Sequence, residues 1–75
     1  MKWRTSYNEK TGVTIYSGKK KNHYIEIVKG DGLDECKLDV IGISGAHKTE
    51  NCPTLEIAMQ NGEHYATKGL YKKLI

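Results

Sequence analysis

Phenylalanine is absent, and the aromatic residues are one tryptophan and five tyrosines. Each of those rings carries a polar tip that needs a partner or water, so the core is expected to be small and open at its edges. Only Pro53 represents proline, and no Ser- or Gln-rich tract occurs, which argues against disorder. No apolar run approaches the roughly 20 residues of a membrane-crossing helix. The start, Met1-Lys2-Trp3-Arg4-Thr5, lacks the apolar stretch of a signal peptide, so a cytoplasmic protein is expected. Two cysteines, Cys36 and Cys52, are too few for a disulfide framework. Internal repeats are missing, and so is any cofactor motif.

Catalytic pairings are missing too. His23, His47 and His64 fall in separate segments, and Ser44-Gly45 has no nucleophile-elbow context. A chain of 75 residues also has little volume for a concave pocket. The expectation is a single domain over residues 1–75 that is not an enzyme and needs no cofactor. A domain of this size buries only about 60–65% of the surface its unfolded chain exposes.

What the chain does have is charge sorted into blocks. Residues 1–29 carry seven Lys or Arg against two acids, a balance of +5. Residues 30–63 carry seven acids against Lys37 and Lys48, a balance of −5. Residues 64–75 add Lys68, Lys72 and Lys73, and the blocks sum to +3. Solvation needs charges but not segregated ones. A fold built from these blocks presents basic beside acidic surface and steers charged partners.

The hydropathy pattern is one of short alternating runs broken by turn residues, a strand signature. Strands are expected at Lys2–Tyr7, Val13–Ser17, His23–Lys29, Cys36–Ser44 and Thr54–Gln60, with a return strand at Glu63–Lys68. Asn61-Gly62 between the last two is the residue pair favoured by a type I′ hairpin. Gly18–Asn22 reads as a basic loop and Gly45–Pro53 as a polar one. For residues 69–75 the spacing of Leu70 with Leu74 and Tyr71 with Ile75 admits a last helical turn or a last strand. The fold class expected is all-β: an antiparallel meander of five or six strands, strongly curved or closed into a small barrel.

Cys36, His47, Cys52 and His64 are the residue types of a tetrahedral zinc site. Pairing 36–44 with 54–60 places Cys36 and Cys52 more than about 20 Å apart at 3.3 Å per residue, so neither zinc nor a disulfide is expected.

The best binding candidate is Ser17-Gly18-Lys19-Lys20-Lys21-Asn22-His23-Tyr24. Clustered lysines offer cations to phosphates, and Tyr16 and Tyr24 offer rings on which bases stack. Lys2-Trp3-Arg4 and Tyr71-Lys72-Lys73 repeat the basic–aromatic mixture. The reading is a nucleic-acid-binding protein using Lys2, Arg4, Tyr16, Lys19, Lys20, Lys21, His23 and Tyr24. The alternative is a protein-binding module or inhibitor that uses Asp31, Asp34, Glu35 and Asp39, or an unpaired strand edge. An unpaired edge strand could also join two copies of the chain.

Overall fold

The computed structural model describes residues 2–42 and 45–69. Four expected strands form where alternation placed them, with shifted ends: β1 (Arg4–Asn8), β2 (Val13–Lys20), β3 (His23–Gly30) and β4 (Cys36–Ile41). A fifth, β5 (His47–Cys52), is followed by the helix α1 (Leu55–Lys68). Strand order is β1-β2-β3-β4-β5, each strand antiparallel to the next. The meander is therefore present. The sheet is neither closed nor strongly curled, and with α1 packed on one face the fold is α+β rather than all-β.

A sheet this open must cover one face. Ile25 and Ile27 of β3 stand opposite Val40 and Leu38 of β4, and all four are fully buried. Each such side chain contributes about 1.5–3 kcal/mol when withdrawn from water. Ala58, Gly62, Tyr65 and Ala66 form the buried stripe of α1 above them. That spacing is helical, and it overrides the strand expected at Thr54–Gln60 and its return at Glu63–Lys68. Local chemistry agrees. Thr54 takes an extended conformation and its Oγ1 accepts the Ile57 N–H at 3.2 Å, capping the helix. Gly69, at φ 104°, closes the other end by donating its N–H to the Tyr65 carbonyl at 2.8 Å.

Asn61-Gly62 is thus not a hairpin turn. Gly62 serves close packing instead. A Cβ at this position would lie 2.8 Å from Cγ2 of Ile25 and 3.3 Å from Cδ1 of Leu38. The two-residue hairpin loop falls at Lys21-Asn22, between the paired Lys20 and His23, with φ values of 48° and 64°. Those are the positive angles a type I′ turn requires.

The segment 45–53, expected as a polar loop, contains the edge strand β5. Its polarity follows from its place: Lys48, Glu50 and Cys52 face α1, while His47, Thr49 and Asn51 face away. Charges on the inward row discourage pairing with a further strand. Glu50 is the hub. It accepts hydrogen bonds from the Tyr65 hydroxyl, from Asn61 Nδ2 at 2.7 Å and from Cys52 Sγ at 3.7 Å. The Lys48 ammonium stands 5.0 Å from the centre of the Tyr65 ring. Burial alone would raise the Glu50 carboxyl. The three donors and Lys48 outweigh it and hold Glu50 below the usual carboxylate range.

Residues 70–75, where a last turn or strand was expected, lie outside the described residues, as do Ile43 and Ser44. Among the described residues no helix is long and apolar enough to cross a membrane.

Two outcomes follow. Gly62→Val should lower the unfolding free energy by about 2–3 kcal/mol, because new methyl groups meet fully buried Ile25 and Leu38. Denaturant titration checks this, and an unchanged midpoint removes the close helix–sheet contact. Glu50, with a depressed folded pKa, stabilises the fold above its unfolded value of about 4.3 and loses that contribution as pH falls through the folded value. Thermal midpoints should therefore drop below about pH 4.5, and more steeply for wild type than for Glu50→Gln.

Candidate functional site

The sheet has two unlike ends. Across one lie the Lys21-Asn22 turn and the start of β1. Across the other lie the β1–β2 turn and the β3–β4 connection with Asp31, Asp34 and Glu35. The eight-residue strands β2 and β3 separate these ends by about 24 Å.

Two depressions open at the basic end. The larger, about 600 Å³, is lined by Lys2, Trp3, Arg4, Ser17, Gly18, Lys19 and Tyr24. The second, about 430 Å³, is lined by Lys19, Lys20, Lys21, Asn22, His23, Tyr24, Ile41 and Gly42. Lys19 and Tyr24 are cross-strand partners and belong to both. They form the ridge between the two hollows. Among the described residues no acidic one lines either hollow.

Strand alternation explains this placement. Register partners share a face of the sheet. Lys19, Tyr24 and Ile41 are partners in sequence across β2, β3 and β4, and they stand on the face away from α1. Arg4, Ser17, Glu26, Asp39 and Thr49 form the next row on that same open face. The Tyr24 hydroxyl donates to Oε1 of Glu26 at 3.4 Å, which orients the ring. Tyr16 belongs to the opposite face. It is the partner of Ile27 and packs against the core, so it does not join Tyr24 at the basic end. Trp3 also packs against the core, anchoring the chain where Lys2 and Arg4 reach the larger hollow.

The turn itself is strained. Lys21 holds φ 48°, a left-handed conformation that costs a residue with a Cβ about 1–2 kcal/mol. His23 braces it: its Nδ1 donates to the Lys21 carbonyl oxygen at 2.8 Å.

The four acids of the alternative site are not brought together. Asp31 accepts the Tyr7 hydroxyl at 2.6 Å, an interaction that raises the Tyr7 pKa. Asp34 and Glu35 are exposed in the β3–β4 connection. Asp39 sits within β4 on the open face, where its Oδ1 accepts Thr49 Oγ1 at 2.7 Å and His47 Nε2 at 3.1 Å. Sequence reasoning missed this hydroxyl–imidazole–carboxylate cluster, since its members are 8 and 10 residues apart and meet only through the β4–β5 register. The Thr49 hydroxyl and Asp39 approach the same ring nitrogen, and the hydroxyl already donates to Asp39. A nucleophile relay needs the carboxylate on the far nitrogen. The cluster acts as a clamp between β4 and β5.

Cys36 and Cys52 are direct register partners, which overturns the separation expected from the sequence. Such partners have Cα atoms about 4.5–5.5 Å apart, within disulfide range. Both are free, buried thiols. Burial first, then Glu50, pushes Cys52 up to about 11, and burial raises Cys36. His47 lies on the open face and His64 in α1 on the other side of the sheet, so the four zinc-type residues do not converge. Among the described residues no group of three or more such side chains does.

The Tyr71-Lys72-Lys73 cluster lies outside the described residues. No family model, curated protein or solved structure matches the chain.

The strain at residue 21 yields a test. Lys21→Asn should raise the unfolding free energy by about 0.5–1 kcal/mol, because asparagine tolerates the left-handed region. Calorimetry should show a midpoint higher by a few degrees, on the order of 4 °C. A lower midpoint would mean that the lysine side chain stabilises the turn.

Proposed function

We propose that this protein binds single-stranded nucleic acid along its basic end. The observation that carries the reading is the pair of adjoining hollows, lined by Lys2, Arg4, Lys19, Lys20, Lys21 and His23 with no acid among the described residues of their walls. Phosphates supply what such walls attract, and Tyr24 on the ridge is placed to take a base on its ring. The left-handed Lys21 supports the same reading. At this backbone position the turn presents an ammonium at its tip, where a phosphate would meet it.

A single strand suits the site better than a duplex. Tyr24 and Ile41 offer apolar surface in a row across the strands. Duplex bases are stacked on each other and cannot use it. The acidic alternative draws less support, since Asp31 and Asp39 are engaged by Tyr7, Thr49 and His47.

Substituting Lys19, Lys20 and Lys21 together by alanine should weaken binding to a single-stranded oligonucleotide strongly. The slope of log affinity against log salt should fall by about one unit or more. Fluorescence anisotropy over a salt series measures both, with thermal midpoints confirming that the variant folds. Salt-insensitive or absent binding by the wild-type protein at low ionic strength would refute the reading.

A further inference from the structure

The two hollows are not equivalent. The larger one, at Lys2, Arg4 and Lys19, is also the more enclosed. It lies against β1, the outermost strand on that side of the sheet. The other extends over β3 toward Ile41 and Gly42 of the β4 end. A strand laid along the row Ile41–Tyr24–Lys19 therefore arrives at the larger hollow last, where the sheet stops.

The charge in that hollow exceeds what an internal phosphate requires. A phosphodiester brings one negative charge. Three cations converge here, from two strands and the segment before β1: Lys2, Arg4 and Lys19. Ser17, on the same wall, adds a hydroxyl donor. A phosphomonoester carries roughly −1.5 to −2 at pH 7 and offers three strong acceptor oxygens. Arg4 in particular presents a planar fork that meets two phosphate oxygens together. The volume, about 600 Å³, falls within the range of small-ligand pockets. Glu26 is the nearest acid by register, two strands from Arg4 in the same row, and its carboxylate is turned to the Tyr24 hydroxyl.

We infer that the Lys2–Arg4–Lys19 hollow receives the terminal phosphate of a single strand, and that the protein prefers phosphorylated strand ends over hydroxyl ends. This rests on the single-strand reading above and narrows it to one class of ligand. The Lys20–Lys21–His23 hollow then holds the phosphates that follow, without regard to the end.

The test compares four oligonucleotides with an internal, base-attached fluorophore: 5′-phosphorylated, 3′-phosphorylated, hydroxyl at both ends, and hydroxyl at both ends but two nucleotides longer. The longer one controls for total charge. One phosphorylated form should bind about five- to tenfold tighter than both hydroxyl forms at low salt, and which form it is gives the strand's polarity. Arg4→Gln should bring that ratio near one. Lys21→Gln should weaken all four alike and leave the ratio standing. Equal, salt-sensitive affinity for all four would overturn the terminal-phosphate inference while single-strand binding stands. A preference that survives Arg4→Gln would overturn the assignment to this hollow. No binding by any of the four would overturn the underlying reading, and this inference with it.

Discussion

The helix reaches the sheet only because residue 62 lacks a side chain. Gly62 brings the α1 backbone down onto Ile25 and Leu38, within 2.8 Å and 3.3 Å of where a Cβ would be. Everything else in the core follows from that approach. Ala58 and Ala66 are small for the same reason, and Tyr65 extends sideways to Glu50 rather than down. A chain without phenylalanine fills the layer with short aliphatics at close range instead of large rings at longer range.

That approach also decides how the edge is built. Covering β5 brings an edge carboxylate under the helix, and a carboxylate there needs donors. Tyr65, Asn61 and Cys52 provide them, and the Tyr65 hydroxyl is itself pushed up to about 12, first by burial and then by the bond to Glu50. The consequence is a division of the molecule. One face of the sheet carries the core and the Glu50 network. The other carries Arg4, Lys19 and Tyr24, whose replacement leaves the core untouched.

The strands with a buried row were legible in the sequence. His23–Lys29 alternates cleanly because Ile25 and Ile27 face a dry helix, and the structure lengthens it by one residue. β5 was not legible, because its inward row is Lys48, Glu50 and Cys52, which reads as a loop until Tyr65 and Asn61 are placed beside it. The helix was hidden by Asn61-Gly62. That pair has a strong local preference for a hairpin, and only the tertiary demand for a missing Cβ reverses it. Leu55, Ala58, Met59, Gly62, Tyr65 and Ala66 do carry the helical period, but short polar interruptions let it pass for alternation. At the candidate site, the clustering of Lys19–Lys21 with Lys2 and Arg4 was readable. The separation of Tyr16 from Tyr24 was not, since it depends on which face α1 covers.

The order of elements along the chain has a consequence for how the protein is made. Each strand pairs only with its sequence neighbours, so each hairpin can close as soon as it is synthesised, at small loop-closure cost. The helix that shields Ile25, Ile27, Leu38 and Val40 follows all five strands. A nascent chain therefore has no cover for that aliphatic row until residues 55–68 leave the ribosome. During that interval the row is open to contact with other chains, and slowed translation between β5 and α1 would lengthen its exposure to aggregation.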